Sequence, residues 1–285
     1  MSYLDHIRGL NRHDLSGFRP LFVGGQETGW VRHGVAERLA RFGSVFEVGA
    51  FGVAVRSVLA TPEERTRAID EVMAVLVEEG AVPPPRGERY PVSPHLTGPA
   101  LFDVDRAHAP VFGIRTVGVH LNGFVNGADG LQLWVARRAT DRTVAPGKLD
   151  NLVAGGRPSG LAPRETLRME CEEEAGIGPE MAARATSAGF VSYGLETDVG
   201  LKRDALFVYD LDLPPDFEPR NTDGEIAAFM LWPVLKVLET VRDTDDFKFN
   251  VPLVILDFAV RHGILTPETE PDYEALVYGL RRPPV

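Results

Sequence analysis

The sequence GGRPSGLAPRETLRMECEEEAGI, residues 155–177, contains a loop with three glycines followed by a helical pattern. Pro163 suits the first turn of a helix, because its missing N–H would have no intrahelical partner there. Gly176 is placed to end the helix, since glycine readily adopts the left-handed conformation of a C-terminal cap. The stretch predicts a loop–helix unit, around which the neighbouring strands must be arranged.

The acidic residues of this helix fall largely on one face. At about 100° per residue, Glu170, Glu173 and Glu174 lie within roughly 100° of one another, whereas Glu172 points away. The adjoining stripe is apolar and consists of Leu167, Cys171 and Ala175. The helix is therefore predicted to bury one stripe and to gather three carboxylates beside it.

Three carboxylates on one helical face repel one another, and the negative end of the helix dipole adds to the cost. A divalent cation would offset this repulsion, and carboxylate oxygens suit Mg²⁺, with Mn²⁺ as the alternative. A solvated acidic helix end is the other interpretation. The preceding glycine loop favours a ligand site, because such loops let the backbone approach a ligand closely.

The rest of the chain divides into two parts. Residues 1–108 are predicted to form a small α+β module, and residues 109–285 a second domain. The elements predicted for the module are helices at Ser2–Leu10, Val35–Phe42 and Pro62–Glu79, strands at Phe18–Val23 and Thr28–Arg32, and an extended segment at Val45–Val58. The stretch Pro91–Pro110, rich in proline, glycine and alanine, is interpreted as the connection between the two parts.

The second domain alternates strand-like and helical segments. Its predicted strands are Thr116–Asn126, Leu131–Ala139, Gly189–Thr197, Ala205–Leu211 and Ile226–Trp232, with a turn at Gly127–Gly130. Helices are expected at Pro233–Val241 and Asn250–Arg261. Strands that surround helices predict an α+β protein with a mixed sheet and helices on its faces.

Composition argues against several classes of function. The 285 residues include 30 basic and 41 acidic side chains, and this net charge of −11 disfavours nucleic-acid binding. The longest apolar run is about six residues, whereas a membrane span needs roughly 20. A single cysteine cannot form an intramolecular disulfide, and the first residues lack a secretory pattern. A cytoplasmic protein with a small-molecule partner is expected, and a homodimer is left open.

The loop–helix unit resembles the Nudix box, the signature of hydrolases that cleave diphosphates linked to another group. The match starts at Gly155 and includes Glu170, the pair Glu173-Glu174 and the closing pair Gly176-Ile177 at the family spacing. Two positions depart from the usual box. The first acidic position holds Leu161, and the arginine position holds Met169.

Further motifs resemble one subgroup of this family, which carries an N-terminal domain of unknown function and is related to the Nudix part of fungal thiamine pyrophosphokinase fusions. The matching segments are Arg86–Tyr90, Gly118–Phe124, Trp134–Arg138, Pro146–Asn151, Val153–Gly156, Asp223–Glu225 and Phe247–Asn250. This resemblance covers nearly the whole chain. It implies a Nudix α/β/α sandwich preceded by the small N-terminal module.

The resemblance also implies an activity, which is Mg²⁺-dependent hydrolysis of thiamine diphosphate or its oxidised analogues to the monophosphate and phosphate. The implied metal ligands are Glu170, Glu173, Glu174 and the backbone carbonyl of Gly155. The implied catalytic residues are Glu173, Glu174 and Glu225. The residues expected to bind substrate are Arg137, Arg138, Lys148 and Asn151.

Other interpretations are kept beside this one. A nucleotide-sugar or ADP-ribose pyrophosphatase is the alternative enzyme, and a catalytically weak ligand sensor is favoured by Leu161 and Met169. His120 is expected to be a structural histidine, because it lies between apolar neighbours in a strand. Tyr193, or an aromatic side chain of the N-terminal module, is expected to stack on the organic part of the substrate.

Overall fold

The computed structural model describes residues 2–127 and 130–282. Its first half contains α1 (Tyr3–Leu10), a 3₁₀ turn (Leu15–Gly17), β1 (Phe18–Val23), β2 (Gln26–Arg32), α2 (His33–Leu39), β3 (Phe46–Gly49), β4 (Gly52–Val55), α3 (Pro62–Glu78), β5 (Arg89–Val92), β6 (Phe102–Asp105), a 3₁₀ turn (Arg106–His108) and α4 (Ala109–Phe112). The second half contains β7 (Arg115–Gly127), β8 (Gly130–Arg138), β9 (Leu149–Asn151), β10 (Val153–Gly156), α5 (Pro163–Ala175), α6 (Pro179–Ala182), β11 (Thr186–Glu196), β12 (Leu201–Asp212), β13 (Ile226–Pro233), α7 (Val234–Asp243), α8 (Val251–Arg261) and α9 (Tyr273–Gly279). Two residues of the predicted turn at 127–130 lie outside the described residues.

A seven-stranded mixed sheet forms the centre of the second half. Its main order is β11-β12-β7-β8-β13, while β10 pairs with β7 and β9 pairs with β8. Strands β7 and β12 are parallel, and the other pairs are antiparallel. Successive side chains alternate between the faces, so Val208 joins the core under α7 and α8, and Tyr209 joins the core under α5 and α6. This α/β/α sandwich confirms the predicted fold class.

The first half is built around a four-stranded sheet of order β2-β1-β4-β3. Helix α3 begins at a capping box, in which Thr61 Oγ1 accepts a hydrogen bond from Glu64 N at 3.2 Å and the Glu64 carboxylate accepts one from Thr61 N at 3.0 Å. Its buried side chains are Ile69, Val72, Met73 and Leu76. The predicted extended segment at 45–58 is a hairpin of β3 and β4.

The stretch expected to be a plain connection contains a second, two-stranded sheet. Strands β5 and β6 pair antiparallel, and the prolines and glycine between them lie in their connecting loop. Each strand has only four residues, which is too short for a clear alternating pattern. Asp105, the last residue of β6, accepts hydrogen bonds from the backbone N–H groups of Arg86 and Gly87 at 2.9 and 2.8 Å. The hairpin thereby positions Arg86.

Helix α1 packs in the core of the second half. Its buried side chains are Tyr3, Leu4, Ile7 and Leu10, and they belong to the core that includes α7, α8 and α9. His6 Nε2 lies 2.7 Å from the backbone carbonyl oxygen of Val241. No helix within residues 2–127 and 130–282 is both long and apolar enough to cross a bilayer.

We expect Ile7→Ala to lower the free energy of unfolding by about 2–4 kcal/mol, because the change leaves a cavity in a well-packed core. Ile7 is 3 % exposed. Arg8 on the same helix has a side chain that is 69 % exposed, and Arg8→Ala is the control, expected to change stability by about 0.5 kcal/mol or less. Urea denaturation of both variants checks this, and equal effects would contradict the assignment of α1 to the core.

Candidate active site

Helix α5 begins and ends where the sequence predicts. The Glu165 carboxylate accepts a hydrogen bond from Ala162 N at 2.8 Å at the first turn. Gly176 has a φ of +64°, and Ile177 N donates to Cys171 O at 2.9 Å, as in a glycine-terminated helix. Side chains of the predicted apolar stripe are buried: Leu167, Cys171 and Ala175.

The predicted carboxylate face lines a cavity of about 380 Å³, here called the polar cavity. Its acidic residues are Glu88, Glu170, Glu173, Glu174, Asp223 and Glu225, and its basic residues are Arg86, Arg106, Arg138, Arg142 and Lys248. Glu172 is not part of this wall, in agreement with the helical geometry. The structure therefore brings together the four acidic side chains proposed for catalysis and metal binding.

Strand β10 holds two of these carboxylates. A Cβ atom on Gly155 would overlap the carboxyl group of Glu170, so only glycine admits this side chain against the strand. The neighbouring Ala154 N donates to Glu174 Oε2 at 2.8 Å. Helix α5 is thereby set against β10 at a fixed position, with both carboxylates between them.

The loop at 220–225 brings a third acidic segment to the cavity. Arg220 N donates to Ala175 O at 2.9 Å, and Thr222 Oγ1 donates to Glu173 O at 2.6 Å, so the loop satisfies the last carbonyl groups of α5. Glu225 follows this loop, and its carboxylate forms an ion pair with Arg142 at 2.5 Å. The loop thus places Glu225 opposite the carboxylates of α5.

Negative charge at this wall is poorly compensated. Burial, together with the carboxylates of Glu173 and Glu225, raises the pKa of Glu170 to about 7. Burial and the nearby Glu170 raise the pKa of Glu174 well above its ordinary value. Both shifts mean that the ionised forms lack sufficient positive charge around them. A bound cation would provide it.

The donor chemistry fits a hard divalent cation, since the carboxylates and the Gly155 carbonyl offer only oxygen ligands. Within the described parts of the chain, no group of three His, Cys, Asp or Glu side chains is arranged so that it could hold a metal ion. Glu174 is hydrogen-bonded to β10, and Glu225 is paired with Arg142. The carboxylates thus line one cavity, but their oxygen atoms do not converge on a single point.

Among the residues expected to bind substrate, only Arg138 lies at the cavity. Its guanidinium donates to Asp150 Oδ2 at 3.1 Å, in a nearly fully buried ion pair. Lys248 Nζ lies 3.1 Å from the same carboxylate oxygen. Burial alone would raise the pKa of Asp150, but Lys248, His120 and Arg138 hold it below its usual value.

Arg137, Lys148 and Asn151 do not line the polar cavity, which corrects the expectation that they bind substrate there. Strand alternation turns Arg137 to the opposite side of β8 from Arg138, and it donates to Gly147 O at 3.0 Å. Lys148 Nζ donates to Asp245 O at 2.6 Å. Asn151 is buried beneath His120 and accepts its hydrogen bond.

Four basic residues of the cavity were not predicted: Arg86, Arg106, Arg142 and Lys248. Arg86 and Arg106 come from the first half of the chain, and only the β5–β6 hairpin brings them to the second. Arg86 and Lys248 lie in the segments Arg86–Tyr90 and Phe247–Asn250, which both resemble the subgroup, so the sequence held a signal for these two residues. The Arg86 guanidinium has no hydrogen-bond partner among the described residues.

A second cavity of about 470 Å³, here called the apolar cavity, adjoins the first. The two share Arg86, Arg106, Val144, Ala154, Gly155, Gly156 and Lys248. Both halves of the chain line it, and its aromatic side chains are Tyr90 and Phe249. Tyr193 is fully buried and is not part of the wall, so the expectation that it stacks on substrate is corrected.

Comparison with known proteins agrees with this architecture. Nudix hydrolase 24, chloroplastic, from Arabidopsis thaliana is 43 % identical over 276 residues, which cover 96 % of this chain and 75 % of that protein. Nudix hydrolase 20, chloroplastic, from the same plant is 40 % identical over 278 residues, covering 94 % and 74 %. The chain belongs to the Nudix hydrolases. It is accordingly an enzyme that acts on diphosphate bonds.

Within this Nudix chain, residues 2–116 match the family described as Domain of unknown function (DUF4743). Among solved structures, DR0079 from Deinococcus radiodurans shares 21 % identity with a TM-score of 0.42, covering 59 % of this chain and 97 % of that one.

The expectation of a cytoplasmic location is wrong by this comparison, because both Arabidopsis relatives are named chloroplastic. The expectation rested on a single cysteine and on the absence of a secretory pattern. Those features argue against an oxidising compartment but do not distinguish among reducing ones.

We expect Glu170→Gln to stabilise the metal-free protein at alkaline pH. The pKa of Glu170 lies above the ordinary value of 4.5, so its destabilising effect is absent below about pH 4.5 and complete above about pH 7. The gain in the free energy of unfolding at pH 8 should be about 1–3 kcal/mol. Urea denaturation in EDTA at pH 5 and pH 8 measures it.

Glu172→Gln is the matched control, because Glu172 lies on the same helix but outside the polar cavity. It should show no comparable gain at pH 8. Equal stabilisation by both substitutions, or a larger gain for Glu170→Gln at pH 5, would contradict uncompensated charge at Glu170.

Proposed function

We propose that this enzyme hydrolyses a small-molecule diphosphate with Mg²⁺, and that its substrate is thiamine diphosphate or an oxidised analogue, released as the monophosphate and phosphate. The carrying observation is the pair of adjoining cavities. One presents the carboxylates and arginines that a metal-bound diphosphate requires, and the other presents an apolar wall of a size suited to an organic group.

Glu170, Glu173, Glu174 and the Gly155 carbonyl would hold the cation. When bound, Mg²⁺ neutralises charge on the diphosphate oxygens and favours deprotonation of water. Glu173 is exposed on the polar cavity and is expected to turn toward the cation as it binds. The raised pKa values of Glu170 and Glu174 support this proposal, because the ion would supply the positive charge that these buried groups lack.

The basic residues of the polar cavity orient the diphosphate in this proposal. Arg86 and Arg106 lie where the two cavities meet, and the planar guanidinium group suits bidentate contact with phosphate. Lys248 borders both cavities as well. The bond between the two phosphates would then lie on the polar side and the organic group on the apolar side.

Glu225 is the proposed general base, with Glu173 and Glu174 as the other catalytic carboxylates. A general base must reach the attacking water directly, and Glu225 lines the polar cavity opposite α5. Its carboxylate would accept the proton released as the water oxygen attacks phosphorus and the bridging P–O bond breaks, which leaves the monophosphate and phosphate. Arg142 holds this side chain through the ion pair and thereby orients it.

The test is a turnover panel in Mg²⁺ and in EDTA with thiamine, oxythiamine and oxothiamine diphosphates, ADP-ribose, NADH and nucleoside triphosphates. We expect metal-dependent phosphate release from the thiamine compounds, lowered about 100-fold or more by Glu174→Gln and left near wild type by Glu172→Gln. Products are identified by mass.

Turnover of ADP-ribose or NADH without turnover of the thiamine compounds would replace the proposed substrate by that of a nucleotide pyrophosphatase. Stabilisation by one compound without turnover of any would overturn hydrolysis and indicate a ligand sensor.

We expect Arg86→Met to raise the KM for the diphosphate substrate about 10-fold or more, because a charge-assisted contact to phosphate is lost. Arg137→Met is the control, since Arg137 lies outside both cavities, and its KM should stay within about twofold of wild type. Steady-state kinetics on the preferred substrate measures both. Equal KM values for the two variants would remove Arg86 from the substrate site.

A further inference from the structure

Asp150 is a buried carboxylate to which the proposed hydrolysis assigns no role. It lies in β9 and is 2 % exposed. Its oxygen Oδ2 accepts hydrogen bonds from both Arg138 Nη1 and Lys248 Nζ, each at 3.1 Å. These two cations line the polar cavity, whereas Asp150 lines neither cavity. Asp150 therefore cannot contact a ligand there, but it can determine where the cations lie.

The Asp150 carboxylate is itself held in place by β9 and its neighbours. Asp150 pairs with Ala136 in the ladder between β8 and β9, and its second oxygen, Oδ1, accepts from Asn151 N at 3.0 Å. Burial acts to raise the pKa of this carboxyl, but the nearby cations hold it below its usual value, so the group is ionised near neutral pH. An ionised carboxylate offers only acceptors and suits two cationic donors.

Backbone hydrogen bonds bring Lys248 to this carboxylate, although the two residues are 98 positions apart in the sequence. Leu149 N donates to Asp246 O at 2.9 Å, and Lys248 N donates to Leu149 O at 2.8 Å. The segment 246–248 therefore runs beside β9. This arrangement places the Lys248 side chain next to Asp150 whether or not a ligand is bound.

The two cations depend on Asp150 to different degrees. Arg138 has a second anchor, because its Nε donates to Val144 O at 3.1 Å. Within the described residues, Lys248 Nζ makes one hydrogen bond, which is the bond to Asp150. A lysine side chain has much rotamer freedom, and ordering it costs free energy. Loss of Asp150 would therefore release the ammonium of Lys248 more than the guanidinium of Arg138.

The position of Lys248 suits contact with one phosphate in particular. An ammonium has three N–H groups, so two remain for a ligand after the bond to Asp150. Lys248 borders both cavities. If the cation-binding carboxylates hold one end of the substrate and the apolar wall holds the other, the phosphate joined to the organic group lies at this border.

We propose that Asp150 is a positioning residue for diphosphate hydrolysis. It fixes the Lys248 ammonium at the border of the two cavities, where Lys248 donates hydrogen bonds to the phosphate that stays on the organic group. This inference rests on the proposed function, because that function places the diphosphate in the polar cavity. It does not depend on which organic group the substrate carries.

The negative charge of Asp150 alone would have the opposite effect on substrate binding. Asp150 carries the same sign of charge as the diphosphate, so neutralising it without moving Lys248 would strengthen binding. Loss of positioning would weaken binding, because a mobile ammonium must be ordered each time the substrate binds. The direction of the change in KM therefore distinguishes positioning from a simple charge effect.

The test is steady-state kinetics in Mg²⁺ with oxothiamine diphosphate and with ADP-ribose. On whichever compound is hydrolysed, Asp150→Asn and Lys248→Met should each raise KM about 10- to 100-fold, the usual range for a charge-assisted hydrogen bond. The phosphate carries its charge before the bond breaks, so kcat should change about threefold or less. The double variant should match Lys248→Met within about threefold, because Asp150 acts through the lysine.

Asp257→Asn is the matched control. Asp257 is likewise buried and pairs with two arginines, with Arg261 at 2.7 Å and with Arg281, but it lines neither cavity. Its substitution should lower thermal stability, as Asp150→Asn does, and leave KM within about twofold of wild type. If thermal unfolding shows that Asp150→Asn is not folded, Asp150→Ser takes its place with the same expected KM.

An unchanged or lower KM in Asp150→Asn, a loss confined to kcat, or additive effects in the double variant would overturn this inference. Hydrolysis of ADP-ribose alone, with the expected KM values, would support it and would overturn the proposed thiamine substrate. Hydrolysis of oxothiamine diphosphate with additive effects would leave the proposed function standing, so the two failures are distinguishable. Hydrolysis of neither compound would overturn both.

Discussion

The contact between the Glu170 carboxylate and the backbone of Gly155 is the constraint on which the site depends. Strand β10 has no side chain at this position, and α5 can therefore lie close enough for its carboxylates to be buried against the sheet. The same strand donates Ala154 N–H to Glu174. The cost of this proximity is the negative charge that raises both carboxyl pKa values. A site of this kind is unfavourable in the free protein and favourable around a cation.

The glycines of β10 also join the two halves of the chain. Gly156 leaves room for the Tyr90 hydroxyl, because a Cβ atom there would overlap it. Tyr90 thereby lines the apolar cavity, and Arg86 borders both cavities. Both halves supply basic and aromatic groups, and all the carboxylates of the polar cavity except Glu88 come from the second half. The proposed substrate site thus lies where two cores meet, as is common for ligand pockets.

Local patterns predicted the parts of this site that lie on one element. The limits of α5, its buried stripe and the direction of Glu170 follow from 3.6-residue periodicity and the capping glycine. The predictions that failed concern residues whose positions depend on contacts distant in sequence. Lys148 was expected at the site, but it is Lys248, which pairs with Asp150, that lies there.

Diffraction from crystals grown with Mn²⁺, recorded at its absorption edge, tests the account most directly. We predict an anomalous peak between the carboxylates of Glu170, Glu173 and Glu174, near the Gly155 carbonyl, with Mn–O distances of about 2.1–2.3 Å. The peak should disappear in Glu174→Gln crystals. A peak elsewhere in the molecule, or none at a Mn²⁺ concentration that supports full turnover, would contradict the claim that these carboxylates hold the catalytic cation.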